Sequence, residues 1–423
     1  MMIKQPLRIA IATGLYAPFL TGVSVAVHQR VRWLLQQGHE VFLIHPQINN
    51  LYPPNVGKRP MSGLDELQQY SNFTSYAFPT RPLIFYKSLP QPLNHRHWSD
   101  TKLLEDFKPD IVLVEEAAQM RGLYSLFLQG YGRPIAVEYG KKTGTPTISL
   151  FHTDIVAYIK YYLGNQLFSL FRPFVPTLVK QFSNSYSLNL FSSKEQLTKY
   201  EQMKCQRSEY FPYQGVDCEK FKPENIIYNP IPNDSRPILL FVGRITAEKN
   251  VPQLLDIYPL VASYIKDVHL VIVGSGPIEE EIKQRAQEFP SGVTVWGESH
   301  GKELLGLYAR ADLFVNPSIT ENFCTSNNEA LASGTPVVAA VAPSTAEQVT
   351  PGHNGFLAEP NNPEDFAQKI IEILKNPQLK EQMTKNARPS ILEFDWSACM
   401  EKFELKLYEI VAQSQKKLTG IAS

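Results

Sequence analysis

Only four cysteines occur in 423 residues, Cys205, Cys218, Cys324 and Cys399, and no two of them stand as C-x-x-C. That spacing excludes a disulfide framework and the paired-cysteine zinc modules, and suits a reducing compartment. No apolar run approaches the roughly 20 residues that cross a bilayer. The run nearest the start, "IAIATGLYAPFL", is short, is broken by Gly14 and Pro18, and leads into a helical pattern. It reads as a first β-strand rather than an export signal. Net charge is also absent, since 41 Lys and Arg balance 41 Asp and Glu.

What is present is more pointed. The zero net charge conceals a division: 22 basic against 14 acidic residues through residue 215, then 19 against 27. The two parts therefore present opposite fields to their partners. Within the basic part, Ile155 to Lys194 contains no Asp or Glu, while Lys160, Arg172, Lys180 and Lys194 punctuate an aromatic, aliphatic sequence. Basic groups beside apolar ones suit an anionic membrane surface; a core helix with solvated lysines is the plainer alternative. A nucleic-acid partner is not expected.

A chain of this length exceeds one ordinary core, so two domains of about 200 residues are expected. Residues 8–46 read as a β-α-β unit: "RIAIAT", a loop from Gly14 to Gly22, a helix with Val27, Val31, Leu34 and Leu35 on one face, a stop at Gly38, then "VFLIHP". Further strands are expected at "DIVLVE", "PIAVEY", "TISLFH" and "LNLFSS". The rhythm restarts after residue 235 with "PILLFVG", "VHLVIVG", "VTVWG", "DLFVNPS" and "PVVAA". The stretch 210–237, rich in Pro, Asn and Asp, has linker composition. The expected fold class is α/β, two doubly wound domains facing across a cleft, with ligands at the carboxyl ends of the strands. Expected boundaries are 1–215, 216–395 and a C-terminal helix, 396–423, with Phe403, Leu407 and Ile410 on one face.

Chemistry concentrates in two loops of the second half. After "DLFVNPS" come Glu321 in a loop and Glu329 in a short helix that Gly334 and Pro336 end. Ser326 and Glu329 have the spacing of a capping box, which by itself accounts for Glu329 but not Glu321. The alternative is that both carboxylates accept hydroxyls of a sugar and a ribose while the helix N-terminus faces phosphate. After "FVG", Arg244 and Lys249 supply cations suited to a departing diphosphate, a surface ion pair being the lesser alternative.

"GRITAEKN", "GSGP", "YARADLFVNPS", "ENFCTSNNEALASGTPVV" and "GHNGFL", in this order and spacing, resemble the C-terminal half of the family 4 retaining glycosyltransferases of the GT-B fold. "TGLYAPFLTGVSVAVHQRVRWLLQQGHEV" is similar to that family's first β-α-β unit. The resemblance implies that Glu321 addresses the transferred sugar, Glu329 the ribose, and Arg244 and Lys249 the diphosphate, with His152 near the reacting sugar. A satisfied core histidine is the alternative for His152. Gly22 would let backbone approach the phosphates, and Phe323, Cys324, Gly243 and Gly274 fall on donor-binding positions. Asn322 and Cys324 stand where the family has glycines, and "APSTAEQV" departs from its glycine pair near Ser344 with Glu347 in place. These changes bear on sugar selectivity.

The implied reaction is hexosyl transfer with retention from a nucleotide sugar, first of all a UDP-sugar such as UDP-galactose. No D-x-D occurs, so no cofactor and no obligatory metal are expected, the protein's own cations taking that role. "FHTDIVAYIKYY" is similar to the matching segment of glycolipid synthases that make digalactosyl- and sulfoquinovosyl-diacylglycerol. A membrane lipid acceptor is therefore expected, with Lys160, Tyr161, Tyr162 and Arg172 toward acceptor or membrane, on a cytoplasmic protein peripheral to the inner face. The rivals are a soluble transferase and a nucleotide-sugar epimerase of the same fold, for which Glu115, Glu116 and Glu138 are candidate acids and bases, though they read more simply as strand-end or surface residues. A non-catalytic sensor of nucleotide sugar is a further alternative.

Overall fold

The structure, a computed structural model, describes residues 5–16, 22–47, 63–83, 86–92, 101–115, 135–152, 169, 172–319, 323–342 and 344–419. The chain divides into two compact units, Met1–Tyr213 with Met400–Ser423, and Gln214–Cys399.

The first unit is built on an eight-stranded sheet: β1 (Arg8–Thr13), β2 (Glu40–Gln47), β3 (Phe73–Leu83), β4 (Tyr86–Pro92), β5 (Ile111–Glu115), β6 (Thr147–Phe151), β7 (Leu188–Phe191) and β8 (Ser208–Tyr210). Their order is β4-β3-β2-β1-β5-β6-β7-β8. Every pairing is parallel except β3 with β4. Every residue of β5 and β6 is buried, as expected of parallel strands covered on both faces. β4, "YKSLPQP", lies at the sheet edge, where proline costs no ladder hydrogen bond.

One expected strand is a helix. "PIAVEY" falls in the helix Ile135–Thr143, which buries Ile135, Ala136, Val137 and Tyr139. A short apolar run does not by itself distinguish strand from helix. Here the spacing suits a helical face, and Gly140 lets that helix approach the chain entering β6: a Cβ there would stand 2.7 Å from Thr147 Cγ2 and 2.9 Å from the Thr145 carbonyl.

The second unit carries β9 (Ile238–Val242), β10 (His269–Val273), β11 (Val293–Gly297), β12 (Leu313–Asn316), β13 (Val337–Ala340) and β14 (Gly355–Ala358). The order is β11-β10-β9-β12-β13-β14, and all pairs are parallel. Alternation along β9 shows how the sheet is covered. Leu239 and Phe241 join one apolar cluster with Leu254, Leu255 and Phe366, while Ile238 and Leu240 join another with Leu307, Ala330 and Leu331. Sequence reading missed β14, whose first residue is the Gly355 of "GHNGFL". A Cβ there would lie 1.9 Å from the Val337 carbonyl.

The stretch with linker composition is largely part of the second unit. Val216, Cys218 and Phe221 are buried in its core, and Val216 exchanges backbone hydrogen bonds with Phe394 and Trp396. The helix Trp396–Thr419 passes at Met400 from the second unit to the first. There it buries Phe403, Leu407 and Val411, while Ile410 is only half-buried. Its tail is tied down by Tyr408, whose hydroxyl donates to the Gln5 carbonyl at 3.1 Å, and by Ser414, which donates to the Gly144 carbonyl at 3.1 Å.

Candidate functional site

In the second unit, β9 and β12 are neighbours at the point where the strand order reverses, the position at which open α/β sheets bind ligands. After β9 come Gly243 and Arg244, and Lys249 closes a short 3-10 turn, Ala247–Lys249. Arg244 pairs with Glu248 at 3.3 Å yet keeps half its side chain exposed. Backbone approach fixes this loop. The Ile245 N–H donates to the Ser275 carbonyl at 2.8 Å. Gly274, at φ +138°, would place a Cβ 1.8 Å from the Gly243 carbonyl, and Gly276 would place one 2.1 Å from the Ile245 carbonyl. Only glycine fits either place.

After β12, a buried amide network sets the start of the helix Thr325–Ala332. Asn316 donates to Asn327 Oδ1 at 2.9 Å and to Cys324 Sγ at 3.1 Å. Gln348 accepts from Asn327 and donates to the Cys324 carbonyl, both at 3.2 Å. Cys324, not Ser326, is the N-cap residue, and its side chain makes no capping hydrogen bond among the described residues. The capping-box reading is thereby corrected: Ser326 lies inside the first turn against Cys324 Sγ at 3.3 Å. Glu329 instead accepts a hydrogen bond from the buried Tyr308 hydroxyl at 2.6 Å. Part of Glu329 stays accessible, but protein surrounds its carboxyl. Burial raises it to about 7 against the opposing pull of Tyr308 and Lys220. Beside it Asn328 is fully buried with neither amide atom partnered among the described residues. Phe323 is half-buried, its ring 6.4 Å from that of Phe394. Glu321 and Asn322 lie outside the described residues, so the structure relates Glu329 to Arg244 and Lys249 only through β9 and β12.

In the first unit the carboxyl ends of β5 and β6 bring together Glu115 and His152, with His152 Nε2 2.5 Å from Glu115 Oε2. The other carboxylate oxygen accepts from Arg30 Nε at 2.7 Å, and the Arg30 and Glu115 side chains are fully buried. Burial alone would raise the Glu115 carboxyl; the Arg30 guanidinium and the His152 hydrogen bond hold it well below the usual range. Glu115 does stand at a strand end, closing β5, as one of its plainer readings had it, but it is buried rather than at the surface. Arg30 is the residue sequence reading missed, because its place in a helix gives no sign of a buried charge. Glu138 is half-buried on the helix Ile135–Thr143, and Glu116 lies outside the described residues.

Gly22 opens the helix Gly22–Gln36, and a Cβ there would meet no atom of the described residues within 4 Å. Arg172 is exposed. Lys160, Tyr161 and Tyr162 lie outside the described residues. Phe174, which sequence reading did not single out, is 62% exposed at the start of the helix Val175–Ser183.

Residues 224–390 match the family described as Glycosyl transferases group 1. The chain is a glycosyltransferase. Its two Rossmann-like units have the GT-B fold, as a crystal structure of Anabaena Alr3699/HepE in complex with UDP illustrates. That likeness has a TM-score of 0.70 at 17% identity, covering 95% of this chain and 99% of that one. This glycosyltransferase is 26% identical to a GDP-mannose-dependent alpha-mannosyltransferase of Corynebacterium glutamicum, over 98% of this chain and 92% of the relative. It is 32% identical to the sulfoquinovosyl transferase SQD2 of Arabidopsis thaliana, over 46% of this chain and 38% of that protein.

Proposed function

We propose that this glycosyltransferase moves a hexosyl group, with retention, from a nucleoside diphosphate sugar to a membrane lipid acceptor, with GDP-mannose as first donor. The observation that carries the reading is the pairing of opposite chemistries at one topological switch point. Arg244 and Lys249 follow β9, and Glu329 stands in the first turns of the helix after its neighbour β12. Cations beside a helix N-terminus suit a leaving diphosphate, and a carboxylate one turn away suits vicinal hydroxyls. The orphaned amide of Asn328 adds an unmet polar demand beside that carboxylate.

Retention is supported by chemistry: GDP-mannose is an α-linked donor, and the relative that spans almost the whole chain is named for an α-product. That relative turns the donor from the UDP-galactose expected at first toward GDP-mannose. In the proposed step the acceptor hydroxyl oxygen bonds to the anomeric carbon as the carbon–phosphate oxygen bond breaks, and the hydroxyl proton passes to the departing phosphate oxygen. The electron pair goes to the diphosphate, and Arg244 and Lys249 neutralise it without a metal. Glu321 and His152 would contact the transferred sugar, and Gly22 would admit phosphate close to backbone. The lipid acceptor is supported by the acid-free stretch 155–194 and by exposed Phe174 beside exposed Arg172.

Purified protein given radiolabelled GDP-mannose or UDP-galactose, with and without liposomes of diacylglycerol glycolipid, tests the reading. Mannose label in the organic phase, on an α-linkage and undiminished by EDTA, is expected. Transfer only to water-soluble acceptors would replace the lipid acceptor, and donor altered with no acceptor would make the chain an epimerase.

A further inference from the structure

The two carboxylate oxygens of Glu329 have different surroundings. Oε2 accepts from the Tyr308 hydroxyl at 2.6 Å. Oε1 accepts from no described residue and, unlike both amide atoms of the neighbouring Asn328, is not sealed from solvent. Stability alone does not account for the pair, because apolar groups of the same shape in place of both partners can be neutral or stabilising. A role beyond packing is called for.

Tyr308 has little freedom. It is fully buried near the end of the helix Gly301–Arg310, which lies so close to the turn Pro223–Tyr228 that a Cβ on Gly306 would stand 2.1 Å from the Tyr228 carbonyl. Its ring meets that of Phe221 edge-on, at 5.6 Å between centres and 86° between planes, and lies 5.8 Å from the ring of Phe314 on β12. Its carbonyl accepts from Thr335 Oγ1 at 2.7 Å, just past the end of the helix Thr325–Ala332. The helix that carries Glu329 is therefore tied to Tyr308 twice, once through the hydroxyl and once through the carbonyl. The hydrogen bond from Tyr308 and the charge of Lys220 both draw the Glu329 carboxyl toward its ionised form against burial.

We infer that Tyr308 is the positioning residue of Glu329: it holds Oε2 in place so that Oε1 is presented to the ribose hydroxyls of the donor nucleotide. A carboxylate with one oxygen engaged keeps a fixed direction, and its other oxygen remains an acceptor only. The site then selects ribonucleotides over their deoxy counterparts. The inference rests on the proposed role of Glu329 at the donor, and the test separates the two.

Calorimetry on the full chain at pH 8, above the Glu329 titration near 7, uses GDP and UDP, each beside its 2′,3′-dideoxy analogue. The wild type is expected to bind the preferred nucleotide about 10-fold more tightly than that analogue. Tyr308→Phe, which keeps the ring, should lose most of this preference, and so should Glu329→Met, which removes the acceptor. In turnover, Tyr308→Phe should raise KM for the nucleotide sugar about 10-fold with kcat nearly unchanged. The double variant Tyr308→Phe/Glu329→Met should bind as Glu329→Met does, because the hydroxyl acts through the carboxylate. Its paired apolar groups should also let it melt near the wild type. This comparison stays readable if Tyr308→Phe alone, with a buried carboxylate oxygen unpaired, folds poorly. Further weakening in the double variant, or a Tyr308→Phe that weakens ribo- and dideoxynucleotide alike, overturns the positioning role. So does a Tyr308→Phe that keeps the full preference while Glu329→Met loses it, an outcome that leaves Glu329 at the ribose. A full preference in Glu329→Met takes Glu329 itself off the ribose, and the inference falls with that reading.

Discussion

Glu329 carries the clearest consequence of burial on a single side chain. Its carboxyl titrates near 7 in the folded protein against an ordinary value of 4.5. The folded state therefore binds the proton more tightly than the unfolded chain. The stabilisation is complete below about 4.5 and is lost as pH rises through about 7. A shift of this size corresponds to at most about 3 kcal/mol, reduced by the side chain's contact with solvent. Urea unfolding at pH 5 and pH 8 should show the wild type losing part of that amount and Glu329→Gln losing less; equal losses would contradict the burial argument. Gly22 and Gly274 differ at the same scale. Gly274→Ala forces a Cβ onto a carbonyl oxygen and should cost about 2 kcal/mol or more. Gly22→Ala meets no atom of the described residues and should leave the melting temperature within about a degree. If Gly22 faces the donor phosphates, the second variant weakens donor binding without weakening the fold, as calorimetry with the nucleotide sugar would show.

At the scale of elements, the helix Val175–Ser183 buries Val175, Val179 and Phe182 and leaves Phe174, at its entry, outside. Phe174→Ser should lower sedimentation with anionic liposomes several-fold at low salt with no change in melting. An unaltered bound fraction would remove this helix from the membrane-facing surface. Elements were legible in the sequence to the extent that periodicity and punctuation agreed. Strands such as "ILLFV" and "HLVIV" are apolar runs closed by glycine, and they stand where expected. "PIAVEY" failed because four apolar residues in six fit either element until packing decides. β3 and β4 were missed because their prolines, Pro79, Pro82, Pro90 and Pro92, argue against strands on local grounds that an edge pairing overrides. The site was legible as loops after strands, whereas the Arg30–Glu115–His152 cluster joins residues 85 and 37 positions apart and has no local signature.

For the whole molecule, the division at Tyr213 and Met400 makes the first unit depend on a helix that follows the second. A chain ending at Cys399 should keep the melting transition of the second unit and lose that of the first, since Phe403, Leu407 and Val411 leave the core. Two intact transitions would show the helix to be dispensable. The same interleaving has a consequence for synthesis. The ribosome makes most of the first unit early but cannot complete it until residues beyond 400 emerge, so the second unit, contiguous in sequence, is the first able to finish folding. Until then the face of the nascent chain awaiting Phe403 stays open, a natural landing place for chaperones. A stalled or prematurely terminated message would release a protein whose earliest-made half is the defective one.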